Sequence, residues 1–210
     1  MESIKIPTSF RYYLPFDYNS MLHQLAKPNF FPQKNIFVFW HLMKRLLETI
    51  IHFADTINEA MGRLASWFTL ALVLLVCFDV IRRGLIDDTE AWIMELEWHF
   101  FALIFLLGAG YALKHDRHVR VDLFYANFSE RNKAWVNLIG TLVFLLPWCL
   151  IIGVMSFQYA AGSFAIGEGS PDPGGLPTRY IIKFAITVGV GLLGLQGLAV
   201  VARSVLTLRE

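Results

Sequence analysis

Four apolar segments, each long enough to cross a lipid bilayer, constrain the fold of this chain more than any other feature. A spanning helix needs about 20 mostly apolar residues. The four segments are approximately Leu64–Ile81, Trp92–Leu113, Trp135–Tyr159 and Tyr180–Val201. Because lipid offers no partner to open backbone polar groups, segments of this kind cross it as helices. The sequence therefore predicts an all-α integral membrane protein with four transmembrane helices.

The composition agrees with lipid as the main solvent. Hydrophobic residues make up 56% of the chain and charged residues 17%, whereas a typical soluble domain has about 25% charged residues. The formal net charge of +1 gives no bulk attraction to nucleic acid. Cys77 and Cys149 lie inside apolar runs without a metal-binding spacing, which indicates small core residues.

The distribution of lysine and arginine predicts the orientation. Fourteen of the 18 lie before the first span, between the second and third, or after the fourth. The other four lie on the opposite side: Arg82, Arg83, Arg179 and Lys183. Cytoplasmic loops carry the excess of cations in membrane proteins. We therefore expect both the N and C termini in the cytoplasm, and the loops 82–91 and 162–179 outside.

The region before the first span divides into two parts. Residues 1–35 scatter four prolines among aromatic and charged residues and lack the apolar stretch of a signal peptide, so we expect a weakly ordered extension. Residues 36–62 repeat apolar side chains, such as Leu47 and Ile50, at the spacing of an amphipathic helix. That helix either lies on the membrane surface or against a partner, which we favour, or extends the first span into the cytoplasm. Residues 63–210 form the predicted membrane domain.

The second span carries acidic residues where lipid is expected. Its charge-free part, Phe100–Leu113, has 14 residues and covers about 21 Å, less than the hydrocarbon thickness of about 30 Å. The preceding turns, with Glu95, Glu97 and His99, must therefore reach into the outer part of the bilayer.

Three further polar residues are expected at a similar depth: Asp79, Arg179 and Lys183. Ionisable residues in membranes usually face the bundle and pair with one another. We interpret the six as a structural cluster in which Glu95 or Glu97 pairs with Arg179 or Lys183. Two alternatives stay open: the helix dipole favours acids in a first turn, or these residues form an ion pathway.

The third and fourth spans carry signals of local helix geometry. Pro147, near the middle of the third span, removes a backbone hydrogen bond, which predicts a kink. Three small residues of the fourth span, Gly191, Gly194 and Gly197, predict a face for close helix packing.

The sequence contains no motif for catalysis, a cofactor or a metal. Only His99 lies within a span, so no facing pair is available for haem. No phosphate loop, zinc motif or Ser-His-Asp order is present. We therefore expect a protein that is not an enzyme. The alternatives are a membrane-embedded redox subunit using Glu95, Glu97 and His99, or a stand-alone small channel.

The second span and the loop after it carry a family resemblance. Glu95-Leu96, Leu107–Ala109 and His118–Asp122 resemble, in order and spacing, the small-permease (DctQ-type) subunit of tripartite ATP-independent periplasmic (TRAP) transporters. The loop 170–183 is similar to one branch of that family, and the likeness covers about residues 40–205. The resemblance marks four residues as motif positions of structural use: Glu95, Gly108, His118 and Asp122.

The resemblance also implies partners and a location. Such systems combine a soluble periplasmic binding protein, a large membrane permease and a small subunit in the bacterial inner membrane. The large permease is implied to hold the substrate and sodium sites for organic acid uptake. The small subunit is implied to support the scaffold of the large permease, without a cofactor of its own.

Overall fold

The computed structural model describes residues 33–86, 90–117, 125 and 127–209. The predicted extension 1–35 lies almost entirely outside these residues. The helices are α1 (Gln33–Ile86), α2 (Ala91–Lys114), α3 (Glu130–Gly140), α4 (Leu146–Ala165) and α5 (Tyr180–Arg209). The chain divides into two compact units, 1–43 and 44–210, and the contacts below belong to the second.

The prediction of four transmembrane helices is confirmed. Within the described residues, the helical stretches long and apolar enough to cross a membrane are Val38–Leu85, Ala91–Lys114, Glu130–Ala165 and Tyr180–Arg209. Each is longer than the apolar run that predicted it, because helix geometry continues through the polar turns at its ends. The expected boundary between residues 62 and 63 is not a helix end, since α1 continues unbroken through it.

The described helices meet in a small buried core, and many large apolar side chains point outward. The buried core unites Ala65, Leu107 and Leu192 from α1, α2 and α5. Large apolar side chains are exposed instead, among them Trp67 and Phe105, which are 70% and 72% exposed. Exposed apolar surface on this scale marks contact with a membrane or a partner, so the bundle meets the apolar solvent that the composition predicted.

The proline of the third span is accommodated by a wider helical turn. Thr141–Leu145 is π-helical, and the backbone N–H of Leu146 donates to the carbonyl of Thr141. Pro147 has no N–H, and its ring crowds the carbonyl four residues earlier. Wide turns of this kind are one of the identified causes of helix bending. The helical irregularity therefore lies just before Pro147.

The glycines of α5 pack unequally. A Cβ at Gly197 would lie 3.1 Å from a methyl carbon of Leu145, and one at Gly194 would lie 3.4 Å from the Cβ of Cys149. Gly191 is exposed, and its Cβ would meet no heavy atom within 4 Å. A step of three residues falls about 60° short of a full turn. Gly191, which lies two such steps from Gly197, is therefore turned away from the contact face. Gly189, which the repeat omitted, packs instead against Leu106.

Candidate functional site

Glu95 is the centre of a polar group that we name the loop cluster: Glu95, Glu168, Ser170, Arg179 and Lys183. The side chain lies in the second turn of α2 and is only 4% exposed. Its carboxylate accepts hydrogen bonds from the Ser170 hydroxyl, from the backbone N–H of Leu176 at 2.6 Å and from Arg179 Nη2 at 3.3 Å. One buried acid thus holds both the start of α5 and the loop that precedes it.

The Gly/Pro-rich loop between α4 and α5 is folded over this carboxylate. The backbone N–H of Ser170 donates to the carbonyl of Leu176 at 2.9 Å, and that of Arg179 donates to the carbonyl of Glu168 at 3.1 Å. A Cβ at Gly175 would lie 2.3 Å from the Ser170 hydroxyl and 2.9 Å from Glu95 Oε2. Glycine is required there because the backbone approaches the acid too closely for a side chain.

Lys183 is the second cation of the loop cluster, and it pairs with the loop. Its ammonium donates to Glu168 at 2.5 Å and lies 4.0 Å from the centre of the Tyr159 ring. Lys183 is 8% exposed, so burial without these partners would be costly. The hydrogen bond from Lys183 holds the pKa of Glu168 below its usual value. The ion pair therefore fixes the first turn of α5 to the loop, and the cation–π contact fixes it to α4.

The structure brings together only part of the predicted six-residue cluster. Glu95 meets Arg179, whereas Lys183 takes Glu168, a loop acid that the sequence did not single out. Asp79 pairs along its own helix with Arg83 at 2.6 Å. Glu97 and His99, also predicted as members, form no ion pair in the part of the chain that the structure describes. Glu97 Oε1 is buried without a hydrogen-bond partner among the described residues, and His99 Nδ1 lies 2.5 Å from the carbonyl oxygen of Glu95.

A second polar group, which the sequence did not predict as a cluster, lies near the other end of the bundle. We name it the helix cluster: Asp55, Asn58, Glu59, Lys114, Gln196 and Arg203. Asn58 and Gln196 are 0% exposed. The amide of Asn58 donates to Gln196 Oε1 at 2.9 Å, and Gln196 Nε2 donates to Asp55 Oδ1 at 3.0 Å. Asp55 in turn accepts two hydrogen bonds from Arg203 Nη2. The network joins α1 to α5.

A shorter branch of the helix cluster joins α1 to the end of α2. The ammonium of Lys114 donates to Glu59 at 2.6 Å, and His115 Nε2 lies 3.2 Å from the same carboxylate oxygen. A glycine makes the close approach of the helices possible. A Cβ at Gly110 would lie 1.9 Å from Asn58 Oδ1 and 3.1 Å from the carbonyl oxygen of Leu192.

The signal that could have revealed the helix cluster is the spacing of Asp55, Asn58 and Glu59. Residues three and four apart share one helix face, and Ala54 and Gly62 add small residues to the same side. Polar residues beside small residues indicate interhelical hydrogen bonding in lipid. The amphipathic pattern of residues 36–62 instead indicated a polar face away from the bundle, with Asp55 and Glu59 on it.

The chemistry of both clusters is mutual neutralisation. Each carboxylate of the two clusters meets a cation from another element, so these charges hold helices and loop in place. Among the described residues, no three His, Cys, Asp or Glu side chains are grouped to hold a metal ion. Of the predicted motif residues, Glu95 belongs to the loop cluster, and a Cβ at Gly108 would meet no heavy atom within 4 Å. His118 and Asp122 lie outside the described residues.

The fold and these sites define a multi-pass membrane protein whose buried polar groups hold its own helices and loop together. A model of the DctQ component of tripartite ATP-independent periplasmic transporters matches residues 72–207. The chain belongs to that family, as the sequence resemblance predicted.

One curated relative shows the same likeness at a finer level. The chain is 31% identical over 84 residues to the C4-dicarboxylate TRAP transporter small permease protein DctQ of Vibrio cholerae. The aligned part is 40% of this chain and spans about a third (35%) of that relative. No solved structure matches the chain.

Proposed function

We propose that this chain is the small, non-catalytic membrane subunit of a sodium-driven TRAP transporter for organic acids. It lies in the bacterial inner membrane with both termini in the cytoplasm. It supports the scaffold part of a large permease, which holds the substrate and sodium sites, and the pair works with a periplasmic binding protein. The family match over residues 72–207 carries this proposal.

The geometry supports a structural role for the polar residues. The redox alternative would use Glu95. Its carboxylate already accepts hydrogen bonds from three donors: Ser170, the backbone N–H of Leu176 and Arg179. The partly buried charges of the helix cluster are paired as well, Asp55 with Arg203 and Glu59 with Lys114. Transporter substrate sites are typically built from discontinuous helices near the bilayer midplane. In α2 and α5, by contrast, the helix is continuous from end to end.

The positions of the two clusters support the proposed topology. The loop cluster contains Arg179 and Lys183, two of the four cations on the proposed periplasmic side. Each has an acid or aromatic partner that offsets its burial. The helix cluster contains Lys114 and Arg203, which belong to the cation-rich side proposed as cytoplasmic. The positive-inside rule assigns the two ends accordingly.

Reconstitution in liposomes tests the proposal. The full chain is inserted with a candidate large permease from the same genome, and uptake of a radiolabelled C4-dicarboxylate is measured with the matching binding protein outside and an inward sodium gradient. We expect uptake only when both membrane subunits are present, and loss of uptake when the gradient is removed. Transport by this chain alone would contradict the accessory role and support the small-channel alternative.

A further inference from the structure

A polar cavity lies beside the helix cluster, between the end of α2, the start of α3 and the last turns of α5. Its volume is about 360 Å³, which is within the range of about 300–1,000 Å³ for small-ligand sites. Three cations from three different helices line it: Lys114, Lys133 and Arg203. Cations that converge on one cavity from separate elements indicate a binding site for an anionic group.

The cavity also carries two acids. Asp116 and Glu130 line it together with the three cations. A ligand that fits both signs has an anionic group and a hydrogen-bond donor separated by a short link. Phosphoethanolamine, the head group of phosphatidylethanolamine, has this chemistry: a phosphodiester anion and a primary ammonium two carbons apart.

The cations keep donors for such a ligand despite their ion pairs. Both bonds from Arg203 to Asp55 come from Nη2, so Nη1 and Nε can donate elsewhere. Lys133 donates to Glu130 at 2.9 Å, and its ammonium carries three donors in all. The Asn137 amide, which donates to the Tyr125 hydroxyl at 3.0 Å, adds a further polar group to the wall.

The position of the cavity favours a lipid over a soluble compound. It lies at the helix ends that carry the cation excess, where basic pockets between transmembrane helices bind phospholipid head groups. Leu113, Ala134 and Val200 add apolar side chains to the cavity wall, which an acyl chain tolerates better than a fully polar compound does. We propose that this cavity binds the head group of phosphatidylethanolamine, with the phosphate on Arg203 and Lys133 and the ammonium on Asp116 and Glu130.

The lipids themselves supply a matched control. Native mass spectrometry of the full chain in detergent, titrated separately with phosphatidylethanolamine and phosphatidylcholine, measures the affinity of each. Both lipids carry the same charges, but the choline group has no N–H to donate. We expect phosphatidylethanolamine to bind at least about fivefold more tightly, because a hydrogen bond to a charged group is worth more than 1 kcal/mol. Equal affinities would overturn the proposal.

Charge-matched variants locate the binding in the cavity. Lys133→Gln removes a lining cation, whereas Arg131→Gln removes an exposed cation of the same helix that does not line the cavity. We expect Lys133→Gln to weaken phosphatidylethanolamine binding about fivefold, Lys133→Arg to restore it and Arg131→Gln to leave it within about twofold. Equal losses for the two glutamine variants would mean diffuse attraction and would refute the site.

Two further arms test the ammonium contact and the source of the phosphate. Asp116 has a positive φ of 54°, which asparagine tolerates well, so Asp116→Asn removes charge without strain. This variant should reduce the preference for phosphatidylethanolamine over phosphatidylcholine. Inorganic phosphate at millimolar concentration should not displace the lipid; if it does, the occupant is a soluble phosphate compound. The measurements need no large permease, so their failure leaves the proposed transport role intact.

Discussion

The loop cluster and the helix cluster differ in the kind of segment that each one holds. The loop cluster fixes an irregular segment, because Glu95 accepts a backbone N–H as well as side-chain donors. The helix cluster fixes regular segments, because Asn58 and Gln196 join α1 to α5 and Lys114 joins the end of α2 to α1. The loss of the first should loosen a loop locally, whereas the loss of the second should weaken the whole bundle. The predictions below test this difference.

The largest expected effect comes from Gly110, where α2 approaches the helix cluster. A methyl group there would collide with Asn58 Oδ1 and press on the carbonyl of Leu192. We expect Gly110→Ala to lower the free energy of unfolding by about 1–3 kcal/mol, the usual cost of overpacking. The measurement is the apparent unfolding temperature of the full chain in detergent.

Gly108→Ala is the matched control, since it makes the same change two residues away on the same helix. A Cβ at Gly108 would meet nothing within 4 Å. Alanine favours helix over glycine at both positions, so only the collision differs. Equal unfolding temperatures for the two variants would show that α1 and α2 do not approach as closely as described.

The second prediction concerns the loop cluster and is local. Glu95→Gln keeps the shape of the side chain but removes the charge that holds Arg179 and the amide of Leu176. Hydrogen bonds to charged groups contribute about 1.5–3 kcal/mol. We therefore expect at least about tenfold faster hydrogen exchange at the Leu176 amide, with a smaller change in α1 and α5.

Glu97→Gln provides the comparison for that experiment. Glu97 lies one half-turn away and has an oxygen without a partner in the described part of the chain. Its substitution should leave the exchange at Leu176 unchanged. Faster exchange throughout the bundle in Glu95→Gln would contradict the local role and make the two clusters equivalent.

The third prediction isolates one interhelical hydrogen-bond pair of the helix cluster. Gln196→Leu removes the acceptor of Asn58 and a donor to Asp55 while keeping an apolar side chain of similar length. Interhelical hydrogen bonds in membrane proteins contribute about 0.6–1.7 kcal/mol. We expect a loss of free energy of unfolding in that range, and none for Gln158→Leu, since Gln158 is exposed. Equal effects would show that side-chain polarity, and not the network, matters.

The fold was predictable from the sequence because each span is a long apolar run. The loop cluster was partly predictable, since Glu95 and Arg179 are charges at the ends of such runs and lipid leaves them few alternatives. Glu168 was missed because an acid in a Gly/Pro-rich loop has the same local sequence whether it is paired or solvated. Only the folded loop brings it to Lys183.

The helix cluster was not predictable by the same reasoning. Asp55 and Asn58 lie in a helix whose polar residues suggested a solvated face, and their partners are more than 130 residues away in the chain. Helical periodicity identifies a polar face but not the surface that covers it. The family match begins at residue 72, so Asp55 and Asn58 lie outside the matched region, whereas Gln196 and Arg203 lie inside it.

The smallest expected effect is a pH dependence in the loop cluster. The hydrogen bond from Lys183 lowers the pKa of Glu168 in the folded protein. Stabilisation from a lowered carboxyl pKa is present above the ordinary value of 4.5 and is lost as the pH falls from there through the folded pKa. We expect wild type to unfold at a higher temperature than Glu168→Gln at pH 7, and this difference to shrink below pH 4.5.

Wild type and Glu168→Gln share every other carboxylate. The effect of those groups on the unfolding temperature therefore cancels when the two proteins are compared. Asp172→Asn is the control, since Asp172 is an exposed acid of the same loop. It should keep the wild-type pH dependence. The unfolding temperatures of wild type and Glu168→Gln could instead differ by the same amount from pH 7 to pH 4. That result would mean that the Glu168–Lys183 pair does not stabilise the loop. The anchoring of the loop would then rest on Glu95 alone.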